Sequence, residues 1–361
     1  MGLQHSVVEK VASSFTLPNV QLTAKPLGQG LINDTFLIHA DARTFVLQRI
    51  NPAVFKEPEM VQTNFETITA HSEHFFMQNR GYQWCLPSAI PCQDGSRFHR
   101  SSEGEVWRAM SLIEGGVSWG RLVSNDQADA LGKSLGIFHK MSAALDPGKL
   151  FDTLPGFHVA PRYLERLDAV ISSEVGHQRS QECELAISVV DRQRPRIDVL
   201  EKSRLSGELV ERVTHGDPKL DNFLFSAKDG HALAMLDLDT VKPGLILYDL
   251  ADCFRSACAK PEDASFDVDL MAAILKGYIS EAGQTLSSAD IQLLFDAIRL
   301  LPLELGIRFL TDHLEGDLYF KVSHTGQNLD RALSQFFLFQ SIDQQRSLIL
   351  QQIKKICPLS I

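Results

Sequence analysis

The chain has 361 residues, of which 44% are hydrophobic, and its formal net charge is −10. Because one hydrophobic core rarely serves so long a chain, we expect two lobes, and the apolar content can fill both. The acidic balance argues against a nucleic-acid partner, since proteins that bind nucleic acid usually carry a basic face, and it leaves small molecules as the expected partners.

The N-terminus carries no sign of secretion. The chain has no run of about 18 apolar residues, and its opening MGLQHSVVEK lacks the apolar core of a signal peptide. Its six cysteines show neither CxxC spacing nor interleaved histidines, which predicts free thiols in a reducing compartment. We therefore expect a cytoplasmic protein without a membrane partner.

The first 110 residues predict a helix followed by strands. Residues 27–40 (LGQGLINDTFLIHA) hold two glycines ahead of an alternating apolar stretch, and a second alternating run, 44–50, follows a turn. A hairpin with a glycine-rich bend lets backbone N–H groups approach phosphates closely, and polar side chains follow where the loop returns. The candidates for a nucleotide-covering loop are Gly28, Gly30, Asn33 and Thr35.

A further strand is predicted over 106–114 (VWRAMSLIE), and the two glycines after it indicate a change of direction. We place the boundary between the lobes there, which gives an N-lobe of residues 1–112 and a C-lobe of residues 113–361. Beyond the boundary the chain is predicted to be mainly helical. Residues 126–142, for example, place apolar side chains on one face of a helix, as core helices do.

The most informative stretch is 213–240 (VTHGDPKLDNFLFSAKDGHALAMLDLDT), whose spacing suits phosphoryl transfer on Mg²⁺. Asp217 can position an acceptor hydroxyl and take its proton, and Lys219 can reach the γ-phosphate from the same loop. Asn222 offers a hard carbonyl oxygen to the metal. Asp237 follows a predicted short buried strand, and a hairpin turn would bring its carboxylate back beside Asn222. Asp239 is left open between a second metal contact and a structural hydrogen bond.

HGDPKLDN followed by LDLDT closely resembles the signature of the aminoglycoside phosphotransferase and choline kinase group, which shares the bilobal fold of protein kinases. The blocks LDLDTVKPGLILYDLADCFR and RFLTDHLEGDLYFK further resemble the N-acetylhexosamine 1-kinases, which phosphorylate the anomeric hydroxyl of GlcNAc or GalNAc with ATP. The resemblance implies an α+β fold with a small N-lobe built on an antiparallel sheet and a larger, mainly helical C-lobe. It implies that the N-lobe, residues 1–112, binds the nucleotide and that the C-lobe, residues 113–361, is catalytic and binds the acceptor. It also implies ATP and Mg²⁺ as cofactors. Residues 146–211 carry no motif that we can place.

The resemblance makes one departure visible in the N-lobe. Where protein kinases carry a lysine that pairs the α- and β-phosphates, this chain has Gln48 and Arg49 in FVLQRIN, as the sugar-kinase branch similarly does. Strand alternation puts these two side chains on opposite faces, so only one can point at the phosphates, and the sequence does not decide which. In the kinase fold the backbone of the hinge holds adenine, which makes Met110 to Ile113 the expected adenine-binding segment.

The acceptor site is expected in the larger lobe, beside Asp217. By resemblance to the hexosamine kinases, Arg308 and Tyr319 fall where sugar-contacting residues lie, and Asp312 belongs to the same mixed charged and aromatic segment. Asp249 is expected to brace the catalytic loop.

The sequence therefore predicts a small-molecule kinase acting on a sugar hydroxyl. Two alternatives stay open: a kinase of the same fold acting on choline, homoserine or an aminoglycoside, and a nucleotide-binding regulator that has lost transfer. A choline site would need an aromatic cage, and an aminoglycoside site would need a strongly acidic cleft. The oligomeric state, the sugar epimer and the preference for ATP over GTP cannot be predicted.

Overall fold

The structure is a computed structural model that describes residues 5–28, 32–41, 43–173, 179–260 and 262–357. These residues form eleven α-helices and eleven β-strands. The helices are α1 (His5–Ala12), α2 (Pro58–Gln78), α3 (Asn125–Ser142), α4 (Ala160–Ser173), α5 (Gln181–Gln193), α6 (Val199–Leu205), α7 (Ile246–Cys258), α8 (Val268–Ala282), α9 (Ser288–Leu314), α10 (Gln327–Gln344) and α11 (Arg346–Ile356). The strands are β1 (Leu22–Pro26), β2 (Asp34–Ala40), β3 (Arg43–Ile50), β4 (Ala89–Ile90), β5 (His99–Arg100), β6 (Val106–Ser111), β7 (Gly116–Val117), β8 (Arg212–Thr214), β9 (Phe223–Ser226), β10 (Ala232–Met235) and β11 (Lys242–Gly244).

The chain divides into two compact units. The first comprises Met1–Val117, Ala144–Pro155 and Leu224–Pro243, and the second comprises Ser118–Ala143, Gly156–Phe223 and Gly244–Ile361. The segment Ala144–Pro155 joins the first unit through the side chain of Asn64, which bonds the backbone N–H and carbonyl of Phe151 at 2.9 and 2.8 Å. The segment Leu224–Pro243 joins it through backbone pairing. The N–H of Cys85, for example, donates to the carbonyl of Leu233 at 2.9 Å. The functional assignment of residues 1–112 and 113–361 stays a prediction.

The first unit is built on an antiparallel sheet with the strand order β1-β2-β3-β6-β4, and β5 pairs with β6 at its side. The predicted hairpin is β2 and β3. Every second side chain is buried along the end of β2, whereas β3 is buried continuously from Phe45 to Gln48. Phe45, Leu47 and Trp107 pack with α1 in one hydrophobic cluster. A second small sheet, β10-β9-β7, contains the predicted hairpin of β9 and β10, whose turn uses Gly230 at φ +75°.

The second unit is mainly helical, and its tightest helix pair is α3 with α8. A Cβ atom at Gly132 would lie 1.9 Å from the backbone oxygen of Ile274, and one at Gly277 would lie 2.1 Å from the backbone oxygen of Asp129. Only glycine allows two backbones to approach so closely. This approach brings together side chains of α3 and α8 that support the catalytic loop.

The predicted α+β class, with an antiparallel sheet and a helical part, is confirmed. All six cysteines are free thiols, as predicted. Within the part of the chain that the structure describes, every helix is too short or too polar to span a membrane.

Candidate active site

The predicted catalytic loop follows β8 and brings three of the predicted residues together. The Nζ of Lys219 bonds the carboxylate of Asp217. The Nδ2 of Asn222 donates to the backbone oxygen of Asp217 at 2.8 Å and to its Oδ2 at 3.3 Å. Because the amide nitrogen of Asn222 is turned toward Asp217, its oxygen is the atom left to bind a cation. The Asp217 side chain is partly exposed, as a group that meets a substrate must be.

Asp249 in α7 braces this loop, as predicted. Its Oδ2 accepts from the N–H of His215 at 2.6 Å, and its Oδ1 accepts from the N–H of Gly216 at 2.9 Å. The Nε2 of His139 lies 2.9 Å from the same carboxylate, and the Nδ1 of His139 lies 2.9 Å from the hydroxyl of Tyr278 in α8. Burial alone would raise the pKa of Asp249, but the hydrogen bond and charge of His139 outweigh it and lower that pKa. The carboxylate is thus a fixed anchor for two loop amides.

Arg308 in α9 lies within electrostatic reach of Asp217. Its guanidinium carbon lies 5.2 Å from the ring centroid of Phe157, 5.2 Å from that of Tyr163 and 5.5 Å from that of Phe320. Burial would lower the pKa of Arg308, but the surrounding negative and phenolic groups outweigh it and raise that pKa, so the residue stays charged. One arginine therefore occupies the centre of an aromatic cluster beside the catalytic loop.

Tyr319 and Asp312, the other predicted acceptor residues, differ in accessibility. The Tyr319 side chain is exposed. Asp312 is only 2% exposed, and its carboxylate accepts from the N–H groups of Tyr319 at 2.7 Å and Phe320 at 2.9 Å and from the Nδ2 of Asn328 at 2.9 Å. Three donors leave this carboxylate little capacity for a ligand. Through these hydrogen bonds Asp312 holds the loop that carries Tyr319.

In the first unit, the predicted nucleotide-binding residues join a buried polar network around Asp239. Its carboxylate accepts from the Nδ2 of Asn33 and from a guanidinium nitrogen of Arg108 in β6. Arg108 also donates twice to the Oε1 of Gln48, at 3.0 and 2.6 Å. The Nε2 of Gln48 in turn donates to the hydroxyl of Thr35 at 3.1 Å. The glycine-rich hairpin and the LDLDT segment are therefore tied together by one chain of hydrogen bonds.

The strand register determines which of the two side chains, Gln48 or Arg49, lies on the same face of the sheet as Arg108. Thr35, Gln48 and Arg108 are cross-strand neighbours and share one face of the sheet. Arg49 lies on the opposite face, where its guanidinium pairs with Asp34 and Glu105. The side chain that faces the Asp239 network is therefore that of Gln48.

Arg108 is the residue that sequence reasoning missed here. It is 1% exposed, its Nη1 has no hydrogen-bond partner among the residues the structure describes, and its guanidinium lies 4.8 Å from the centroid of Phe65. A cation thus stands one strand away from the position where protein kinases place their lysine. The signal available in the sequence was an arginine inside the apolar strand VWRAM, where a buried charge needs a partner.

The other residues predicted to bind the nucleotide lie in the glycine-rich loop and at the end of β6. Gly28 has φ +73°, which favours glycine, and nothing lies within 4 Å of where its Cβ would be. Gly30 lies outside the described residues. Met110 lies in β6 and Ile113 follows its end, at the predicted hinge.

Asp237 follows β10 with an exposed side chain and an unusual backbone angle, φ +61°. Left-handed backbone in a residue with a Cβ is strained by about 1–3 kcal/mol and often marks a functional position. Within the described ranges, no cluster of three or more His, Cys, Asp or Glu side chains could hold a metal ion. The carboxylate of Asp237 and, in the second unit, the amide oxygen of Asn222 are each a type of ligand that Mg²⁺ accepts, and Mg²⁺ usually takes one or two protein ligands and completes its shell with phosphates and water.

Asp217, Lys219 and Asn222 thus lie together on one loop, in the order of the phosphotransferase signature. The model of the phosphotransferase enzyme family (APH) matches residues 23–283, and the chain belongs to this family.

Solved structures share the fold over nearly their whole length. A microcompartment-associated aminopropanol kinase matches at a TM-score of 0.65 and 14% identity, with 97% of this chain and 100% of that chain covered. An aminoglycoside phosphotransferase from Alicyclobacillus acidocaldarius matches at 0.63 and 13% identity, covering 96% and 95%. A choline kinase from Cryptosporidium parvum matches at 0.61 and 14% identity, covering 97% and 98%. The predicted protein-kinase-like fold of the aminoglycoside phosphotransferase and choline kinase group is therefore confirmed.

Proposed function

We propose that this protein is an ATP- and Mg²⁺-dependent kinase of a neutral sugar, and that its acceptor is the anomeric 1-hydroxyl of an N-acetylhexosamine such as GlcNAc or GalNAc. The family and fold support phosphoryl transfer to an alcohol. The choice of a neutral acceptor rests on Arg308, and the choice of an acetamido sugar rests on the resemblance of the 236–255 and 308–321 blocks to hexosamine 1-kinases.

The observation that carries the proposal is that Arg308, a cationic side chain of the protein itself, occupies the aromatic cluster beside Asp217. A choline kinase needs an empty aromatic cage for a quaternary ammonium, whereas here Phe157, Tyr163 and Phe320 surround the guanidinium of Arg308. Two like charges about 6 Å apart repel by about 3 kcal/mol at an effective dielectric constant of about 20. An acceptor amine placed near Arg308 would therefore bind weakly.

The acids of the 308–321 segment are engaged by other groups of the chain, whereas an aminoglycoside requires an open acidic cleft. Asp312 is buried under three hydrogen bonds. Glu315 forms an ion pair with Arg166 at 2.8 Å, and Asp317 accepts from Asn328 at 2.8 Å. With these carboxylates engaged, Arg308 and the exposed Tyr319 are the groups suited to the hydroxyls, the acetamide and the apolar face of a sugar. In the proposal Asp312 acts by holding Tyr319.

In the proposed reaction Asp217 accepts the proton of the sugar hydroxyl. The oxygen of that hydroxyl bonds to the γ-phosphorus of ATP, and the bond between this phosphorus and ADP breaks. Lys219 neutralises phosphate charge. Asn222 and Asp237 would hold Mg²⁺, which supplies charge stabilisation to the phosphates. Catalysis of this kind is mostly positioning and electrostatics.

For the nucleotide, we propose that residues 1–112 provide the binding surface. The loop from Gly28 to Thr35 covers the triphosphate, and the backbone of Met110 to Ile113 holds adenine. Gln48 rather than Arg49 faces the phosphates in this proposal, because Arg49 is neutralised by two carboxylates on the other face of the sheet. Arg108 supplies the nearby positive charge.

The proposal is tested by ADP release from Mg²⁺-ATP with GlcNAc, GalNAc, glucose, galactose, choline, aminopropanol, homoserine and kanamycin. GlcNAc and glucosamine form a matched pair, since they differ in an acetamide against an amine, and the methyl glycoside of GlcNAc removes the anomeric hydroxyl. We expect turnover of GlcNAc or GalNAc, at least tenfold weaker turnover of glucosamine, and none of the methyl glycoside. Preferred turnover of choline, aminopropanol or kanamycin would overturn the neutral-acceptor proposal, and ATP binding without any turnover would favour a regulator.

The division of roles between the two aspartates has its own test. Asp217→Asn should lose transfer and retain Mg²⁺-ATP binding, because the residue acts on the acceptor. Asp237→Ala should weaken binding of the Mg²⁺-nucleotide itself. Calorimetry with Mg²⁺ present measures both, and equal ATP affinity in the two variants would contradict the assignment.

A further inference from the structure

The catalytic loop is held at both peptide units that flank Gly216. Its N–H donates to Asp249, which fastens the peptide unit before it. Its carbonyl oxygen, which belongs to the peptide unit leading into Asp217, lies 2.8 Å from the Nε2 of His158. Gly216 itself has φ +85°, so this turn is accessible mainly to glycine. His158 thus touches the last backbone group before the proposed catalytic carboxylate.

His158 lies in the turn that leads into α4, within the part of the sequence that carries no recognisable motif. Its backbone is in the left-handed region, at φ +64°, and its side chain is buried. Such a conformation costs a residue with a Cβ about 1–3 kcal/mol and persists only where the surroundings fix it. Here the ring stacks on Tyr248, with centroids 5.2 Å apart and planes inclined by 16°.

The other ring nitrogen of His158 is held by a buried acid. Its Nδ1 lies 3.0 Å from the Oε1 of Glu304 in α9, which is 1% exposed. The second oxygen of Glu304 has no hydrogen-bond partner in the described parts of the chain. A buried carboxylate with an unpaired oxygen is a poor device for stability, because an unmet buried acceptor costs about 1–3 kcal/mol.

Electrostatics favours the doubly protonated ring. Burial would lower the pKa of His158, but the charge and hydrogen bond of Glu304, together with the carbonyl of Gly216, outweigh it and raise that pKa. Both nitrogens of an imidazolium are donors, which matches a carboxylate on one side and a carbonyl on the other. The orientation of the ring is therefore determined by its two partners.

We infer that His158, oriented by Glu304, is a positioning residue for Asp217, because its Nε2–H fixes the carbonyl of Gly216 and hence the peptide unit from which the catalytic side chain projects. The inference rests on the proposed role of Asp217 and extends it to two residues separated from each other by 146 positions.

Two amide variants separate the contacts of the ring. His158→Gln places an amide nitrogen near the position of Nε2 and can keep the bond to Gly216. His158→Asn places it near Nδ1 and can keep only the bond to Glu304. Both remove the stacking on Tyr248, so a packing role predicts equal losses. We expect His158→Asn to lower kcat about 30–100-fold, since small displacements of a catalytic group have effects of that order. His158→Gln should stay within about fivefold of wild type, and KM for both substrates should change little in either.

Asp290→Asn is a control for general destabilisation. This carboxylate is also buried in α9 and paired with an arginine, Arg212, but it lies 14 residues from Glu304, or about 21 Å along a helix. The Asp290→Asn substitution should lower thermal stability and leave kcat near that of wild type. Equal kcat losses in the Gln and Asn variants, or an unchanged kcat in His158→Asn, would overturn the inference.

Hydrogen exchange measured by mass spectrometry gives a readout that needs no acceptor. Peptides spanning residues 213–219 should exchange faster in His158→Asn than in His158→Gln. Equal exchange would contradict a role of His158 in holding the catalytic loop. If the wild-type protein turns over no acceptor, the proposed function fails, while this exchange comparison still decides whether His158 holds the loop.

Discussion

Arg108→Met tests the buried network of the first unit most severely. The side chains of Arg108 and Asp239 are 1% and 3% exposed, so solvent screens their ion pair very little. Removing one partner of a buried pair leaves an uncompensated charge and costs about 3–5 kcal/mol. Methionine replaces much of the aliphatic volume and keeps a favourable contact with Phe65, so the loss reports mainly on charge and hydrogen bonding. Since whole domains are stable by only about 5–15 kcal/mol, the effect is readily measured.

The assay is urea unfolding followed by circular dichroism, with Asp239→Asn measured in both backgrounds. In the wild-type background Asp239→Asn should destabilise, because it weakens the partner of Arg108. In Arg108→Met it should stabilise by about 2 kcal/mol, because it removes the charge left unpaired in a buried place. Mg²⁺-ATP affinity should fall in Arg108→Met, since Gln48 and Asn33 lose their common support.

Two results would refute this reasoning: a cost below about 1 kcal/mol for Arg108→Met, or the same destabilisation by Asp239→Asn in both backgrounds. Either would mean that the pair is not coupled, because coupled residues in one network give non-additive free energies. Arg108→Lys serves as the control that keeps the charge and loses the fork of donors.

Three further outcomes are expected. Gly277→Ala should destabilise the protein by about 1–3 kcal/mol in thermal or urea unfolding, because a methyl group would meet the backbone of Asp129; Gly120→Ala, where nothing lies within 4 Å, should be near neutral. Arg308→Gln should lower kcat/KM for GlcNAc and raise it for glucosamine, and the same change for both sugars would contradict charge selection. The stability difference between wild type and His158→Asn should be fully present below about pH 6.5 and shrink as pH rises through the raised pKa of His158; a difference that grows with pH would have the wrong sign.

Local patterns were sufficient for the β2–β3 hairpin and for the catalytic loop. Alternation predicted the β2–β3 hairpin, and the spacing of Asp217, Lys219 and Asn222 placed three groups on one loop that the structure brings together. Both predictions concern residues that are close in sequence, where backbone periodicity and short turns determine geometry.

The supporting contacts could not be predicted in this way. Arg108 meets Asp239 across 131 residues, and His158 meets Glu304 across 146. Periodicity within an element says which face is buried but not which distant side chain completes a hydrogen bond there. The choice between Gln48 and Arg49 was undecidable for the same reason, because alternation separates two faces without identifying the one that faces Asp239.

The most direct test of the central claim is ³¹P NMR of GlcNAc and Mg²⁺-ATP incubated with the wild-type protein and with Asp217→Asn. The account predicts a phosphate resonance coupled to the anomeric proton with wild type, and unchanged ATP with a variant that still binds the nucleotide. Phosphate on another hydroxyl, or transfer by Asp217→Asn at the wild-type rate, would contradict it.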